Sequence, residues 1–265
     1  MQGDFAIESF LSLWRILAIV CPLVFFAGFV DAVAGGGGVI SLPAYLVAGL
    51  PAHFAAGTNK MANGLGTAMA VWKYMKGGKI LWRVALFSTI GSLLGSAIGT
   101  RIALSFPENT LRMVMIAAIP LVAVFMLVKK DFGSEARPER ELSSRASVAL
   151  SFAIGLVIGC YDGLVGPGTG TFLILAYTGI LGMDMLLSSG CAKVANLASN
   201  VASMVVYLIG GKIVYLVALP AAVFSIAGNY LGARFALKNG SGFIRKMMFL
   251  VLALLLAKLI WDIIA

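Results

Sequence analysis

Gly28-Phe29-Val30-Asp31-Ala32-Val33-Ala34-Gly35-Gly36-Gly37-Gly38 returns later in the chain as Gly159-Cys160-Tyr161-Asp162-Gly163-Leu164-Val165-Gly166-Pro167-Gly168-Thr169-Gly170, with Asp162 lying 131 residues after Asp31. Each copy places an aspartate three residues after a glycine and a glycine run four residues after the aspartate. Downstream the correspondence continues at an offset of 133. Residues 57–86 and 190–219, aligned without gaps, are identical at 12 of 30 positions. The matches include Gly57/Gly190, Lys60/Lys193, Asn63/Asn196, Tyr74/Tyr207 and Gly77-Gly78-Lys79-Ile80 against Gly210-Gly211-Lys212-Ile213. Self-similarity at a fixed offset marks a duplicated unit. The chain therefore reads as a first repeat, 1–128, and a second, 146–265, joined by a charged hinge, 129–145, that contains Pro138.

The medium in which these repeats fold follows from composition. Hydrophobic residues make up 60% of the chain and charged residues 12%, with a mean hydropathy of +0.99. Soluble domains are about a quarter charged, so this surface is not one that water covers. Apolar segments recur at 15–34, 39–50, 57–72, 80–103, 111–128, 146–165, 171–182, 190–209, 213–235 and 243–265. They are continuously apolar, where a membrane β-barrel would alternate. In lipid each span must satisfy its own backbone, which leaves helices. The expected fold is an all-α membrane helical bundle of eight to ten spans in the bacterial inner membrane. The run ending in Ala32-Val33-Ala34 looks like a signal-peptidase site. It is read as a retained span, because Asp4 and Glu8 precede it where a signal peptide is basic, and because the same pattern recurs in mid-chain.

Charge placement orients the bundle. Positive charge gathers in the loop with Lys73, Lys76, Lys79 and Arg83, in the hinge, and around Arg234, Lys238, Arg245 and Lys246. With five segments per repeat, these loops follow the third, fifth and ninth segments and share one side, as the positive-inside rule requires. Five is odd, so the second repeat enters the membrane inverted, an organisation common in secondary transporters. Both termini are then expected outside and the hinge in the cytoplasm. The net charge of +9 is explained by these loops, and no nucleic-acid partner is expected.

The glycine runs Gly35, Gly36, Gly37 and Gly38, and Gly166, Gly168, Thr169 and Gly170 around Pro167, interrupt apolar sequence at corresponding places. Each precedes a segment too short to span comfortably. Paired interruptions in two halves point to a binding site, and the helix that restarts after each presents free N–H groups to an anion. The alternative is that the glycines only permit close helix crossing. Lys60 and Lys193 stand near the starts of matching segments. Asn63 and Asn196 share their helix faces, and Asn200 lies one turn beyond Asn196. An ionisable group inside a span is costly and commonly faces a cavity. Two readings stay open for the lysines: contact with a small anion, or snorkelling and pairing, with Asp31 and Asp162 as natural partners. The aspartates could pair, cap a helix or carry a coupling proton.

Other residues carry little chemistry. Cys21, Cys160 and Cys191 sit in apolar segments without metal-ligand spacing, so neither a metal nor a cofactor is expected. The single histidine, His53, follows Pro51 in a connecting turn and is expected to be solvated. Trp14, Trp72, Trp82 and Trp261 lie near segment ends and read as an interfacial belt. A membrane enzyme would need a dense catalytic cluster, and none is visible. A passive anion channel can be built from the same parts, and a homo-oligomer is compatible with the sequence.

At these residues the chain resembles the TauE/SafE family of sulfite-exporter-like transporters. The likeness is carried by residues 28–38, by Gly57-Thr58-Asn59-Lys60, by Gly166-Pro167-Gly168-Thr169-Gly170 and by Lys193-Val194-Ala195-Asn196. The resemblance implies a bacterial plasma-membrane carrier of small sulfur-containing or organic anions, such as sulfite or sulfonates.

Overall fold

The structure, a computed structural model, describes residues 2–128 and 144–264, with side chains over 12–118 and 145–250. Nearly all of the hinge, and the side chain of Trp261, lie outside the described residues. Among those residues the chain forms nine helices and no strand: α1 (Gln2–Ala34), α2 (Gly38–Val47), α3 (Ala52–Lys76), α4 (Trp82–Ser105), α5 (Glu108–Val128), α6 (Ser144–Leu164), α7 (Thr169–Ile180), α8 (Met185–Ile209) and α9 (Tyr215–Ile264). α9 is broken at Gly240, whose φ is 70° and ψ −165°. Its two limbs make ten segments in all. Five stretches are long and apolar enough to cross a membrane: Ser12–Ala34, Trp82–Ser105, Arg145–Leu164, Met185–Ile209 and Tyr215–Leu250.

The outside is apolar, and the polar side chains of the spans turn inward, as a lipid solvent dictates. Leu86, Ile90, Leu94 and Ile98 of α4 are exposed, while Ser88, Ser92, Ser96 and Thr100 of the same helix are buried. Those hydroxyls find partners on other helices. Ser88 Oγ donates to the Ser151 carbonyl at 2.9 Å, Ser96 Oγ to the Ser199 carbonyl at 2.8 Å, and Thr100 Oγ1 to Ser203 Oγ at 2.8 Å.

Without a hydrophobic force between helices, close packing needs small residues. α4 and α6 meet through Gly91, Gly95 and Gly99 against Gly155, Gly159 and Gly163. A Cβ on Gly95 would stand 2.1 Å from the Leu156 carbonyl oxygen. α1 and α9 meet in the same manner, and a Cβ on Gly228 would stand 2.1 Å from the Phe25 oxygen. These are the two most extensive helix contacts, followed by α3 with α9 and α4 with α8. The pattern is unchanged when each helix is exchanged for its sequence-matched partner. It also defines two bundles, α1–α3–α9 and α6–α8–α4, each of which takes its fourth helix from the other repeat.

The buried apolar clusters repeat the correspondence. One holds Leu42, Ala103, Leu111, Met115 and Tyr207; the other holds their sequence matches Leu173, Ala236, Ile244, Met248 and Tyr74. α2 folds back on α1, where a Cβ on Gly37 would stand 2.4 Å from the Ala27 carbonyl oxygen. With 10 and 12 residues, α2 and α7 rise only about 15–18 Å, against about 30 Å of hydrocarbon.

Two local expectations need correction. His53 is not solvated. It is buried in the first turn of α3, with Nδ1 2.6 Å from Glu108 Oε2, because Glu108, at the start of α5, also accepts the Ala52 N–H through Oε1 and draws the turn inward. α3 and α8 start earlier than the apolar runs suggest, at Ala52 and Met185, where carboxylates take up free N–H groups of the first turn: Glu108 that of Ala52, and Asp184 those of Leu186 and Leu187.

Candidate functional site

The earlier starts change where the lysines sit. Lys60 and Lys193 are each the ninth residue of their helix, roughly 12 Å along it, too deep to snorkel. Lys193 is fully buried and its Nζ lies 2.7 Å from Asp31 Oδ2, while Lys60 Nζ lies 2.6 Å from Asp162 Oδ2. Both pairs cross the repeats and join the two bundles: α8 to α1, and α3 to α6. The aspartates neither cap helices nor stand free. An ionised group in such surroundings persists only with a counter-charge, and each lysine's counter-charge comes from the other half.

The pairs form where the two glycine breaks touch. Gly35 has a φ of 78°, and a Cβ on it would stand 2.2 Å from the Gly170 carbonyl carbon, so only glycine allows this approach. Thr171 Oγ1 closes the junction by donating to the Ala34 carbonyl at 2.8 Å. The first residues of α2 and α7, Gly38 with Thr169 and Gly170, line a cavity above it. Its space is about 520 Å³, the open mouth included.

Asp31, Lys60 and Asp162 supply charge to the cavity wall; Asn59, Asn63, Asn196 and Asn200 supply amides; Leu42, Met115 and Tyr207 supply apolar and aromatic surface. The amides are held in pairs one turn apart. Asn63 Nδ2 donates to Asn59 Oδ1 at 3.0 Å and to Ser41 Oγ at 3.3 Å, and Asn200 Nδ2 to Asn196 Oδ1 at 3.4 Å. Gly35, Gly38, Gly166 and Gly170 line the cavity, whereas Gly36, Gly37 and Gly168 do not. Gly37 packs against α1, and Gly168, at φ 79°, starts α7. Lys193 is also absent from the wall and is reached through Asp31.

The two pairs are unequally held. Asp162 is 3% exposed and accepts from Lys60, from Thr169 Oγ1 at 2.8 Å and from Ser199 Oγ. Asp31 is 14% exposed, and among the described residues its hydrogen-bonded partner is Lys193 alone. Sequence reasoning missed Asn59 and Ser199. Asn59 stands beside Lys60 in a quoted motif, so a signal was present. Ser199 matches Gly66 in the first half, and nothing in the sequence marks it. Among the described residues no group of three metal-ligating side chains occurs.

Comparisons with known proteins agree with the membrane reading. A family model described as sulfite exporter TauE/SafE matches residues 20–259. A probable membrane transporter protein of Haemophilus influenzae is 33% identical over 93% of this chain and 95% of its own length. A second from Sinorhizobium, ORF9, is 30% identical over 94% of each chain, and YfcA of Escherichia coli K12 is 28% identical over 96% of this chain and 95% of its own. No solved structure matches.

Proposed function

The chain is a membrane transporter of the sulfite exporter TauE/SafE family, and from that premise we propose that it carries a small oxyanion, sulfite or a sulfonate, outward across the bacterial inner membrane by alternating access. The observation that carries this reading is the cavity at the meeting of the glycine breaks, with the Lys60–Asp162 and Lys193–Asp31 pairs at its base. An oxyanion entering the membrane core loses hydration worth several kcal/mol or more. Lys60 offers its remaining ammonium donors, Asn59, Asn196 and Asn200 offer amide N–H groups, and the N-termini of α2 and α7 add positive dipole ends. Together they replace that water.

The placement of the ion pairs supports a rocking mechanism. Packing within each bundle is tight, glycine to backbone, so each moves as a unit. The ion pairs are polar ties between the bundles. A buried ion pair adds little net stability but fixes geometry, and such ties can break and re-form as the bundles tilt. The matched helices enter the membrane in inverted orientation, with the termini outside and the hinge in the cytoplasm. Lys193, reached through Asp31, faces the anion once that pair opens.

Counterflow in proteoliposomes tests the reading, with sulfite, ethanesulfonate and acetate as the screen. A carrier preloaded with one anion accelerates entry of the labelled anion and accumulates it transiently. A channel equilibrates it without acceleration, and no anion movement at all removes the reading.

A further inference from the structure

The charges of the site sum to zero, two lysines against two aspartates, and that balance has a consequence for any anion that binds. A monovalent anion would leave one uncompensated negative charge in a cavity enclosed by protein and bilayer, which is strongly unfavourable. Resting on the anion-carrier reading above, we propose that Asp31 takes up one proton for each monovalent anion bound, so that anion and proton travel together. The proton comes from water in the cavity mouth and adds to the Asp31 carboxylate. Lys193, freed of its carboxylate partner, becomes the counter-charge of the bound anion. On release the proton returns to water, Asp31 re-pairs with Lys193, and the site is again neutral without a passenger.

The two aspartates are distinguished by their surroundings. Protonating Asp162 would displace a carboxylate held by Lys60, Thr169 and Ser199 at 3% exposure. Protonating Asp31 disturbs a single hydrogen-bonded pair at 14% exposure on the cavity wall. The ionisable groups around Asp31 are Lys193 of α8, Tyr74 of α3, and Lys60 and Asp162 across the cavity. α2, α7 and α9 meet this stretch of α1 through Gly37, Thr171 and Asn229, which do not titrate. Of the two aspartates on the wall, Asp31 is therefore the more exposed and the one held by fewer hydrogen bonds, and its repulsion of the anion ties the two events together.

Ethanesulfonate is the probe, because it stays an anion at every working pH and any proton taken up belongs to the protein. It is added to purified protein in weakly buffered detergent solution with a pH dye. The expected result is uptake of one proton per anion bound and, above the transition of the empty site, about tenfold weaker binding per pH unit. Peptide mapping after dicyclohexylcarbodiimide, which reacts with protonated carboxyls, is expected to place the label on Asp31, increasingly as pH falls. Binding without proton uptake, or sodium dependence in its place, overturns the coupling and leaves the carrier reading intact. Label on Asp162, or none on Asp31 at pH 5, overturns the assignment to Asp31. Failure of every anion in the counterflow screen overturns the carrier reading and this proposal with it.

Discussion

The two halves deliver the same ionisable groups to the same junction and hold them differently. In one pair the carboxylate is tightly held and the lysine reaches the cavity: Asp162 has three donors, and Lys60 lines the wall. In the other the lysine is sealed and the carboxylate is loosely held: both aspartates line the cavity, but Lys193 is fully buried, and among the described residues Asp31 has one hydrogen-bonded partner. Duplication supplies two equal sites. On the proposed reading, one holds a fixed positive charge toward the cavity and the other changes its charge.

The largest expected effect comes from breaking the sealed pair. Asp31→Ala leaves Lys193 buried without a counter-charge, at a cost of about 3–5 kcal/mol. Thermal unfolding in detergent should show it well below wild type, and adding Lys193→Met should restore most of the loss. Asp162→Ala leaves Lys60 on the cavity wall, where water reaches it, and should melt above Asp31→Ala. The reverse order would contradict the asymmetry.

The glycine breaks sharpen the comparison at a smaller scale. Gly35 and Gly166 are sequence-matched, and both have positive φ, 78° and 93°. Alanine at Gly166 meets nothing nearer than 3.5 Å and should cost about 1–2 kcal/mol of backbone strain. Alanine at Gly35 adds a collision with the backbone at Gly170, roughly 1–3 kcal/mol more. Comparing the two melting temperatures checks this, and equal losses would mean that the breaks do not touch.

The helix starts give the smallest effects. α3 is capped from a distance by Glu108, whereas α8 carries its own cap: Asp184 accepts from the N–H groups of Leu186 and Leu187 and from Ser241 Oγ at 2.7 Å. Ser241 is the sequence match of Glu108. Glu108→Ala and Asp184→Ala should each cost about 0.5–2 kcal/mol. Ser241→Ala should cost about 0.5–1.5 kcal/mol, since Asp184 keeps its own helix bonds. Melting curves should rank them in that order.

Much of this was legible in the sequence. The membrane class follows from composition, and the breaks and matched lysines follow from the repeat. The pairing across repeats was not legible. Periodicity places Lys60 and Asp162 on faces of their own helices, and only the contacts of α3 with α8 and of α6 with α4 bring them together. The exchange of α4 and α9 between bundles was hidden for the same reason: Gly91, Gly95 and Gly99 look like any small residues until α6 supplies the facing glycines. Lys193 looked equivalent to Lys60, and only burial behind Asp31 separates them. His53 looked solvated because its partner, Glu108, stands 55 residues away.

On the proposed reading the ion-paired cavity holds the anion, with Lys60 as its accessible cation. Counterflow by Lys60→Ala tests it most directly, beside Lys238→Ala, an exposed lysine on α9. Lys60→Ala is expected to lose at least about tenfold in rate, as for removal of a charge-assisted bond, while Lys238→Ala stays at the wild-type rate. Full counterflow by folded Lys60→Ala protein would contradict it.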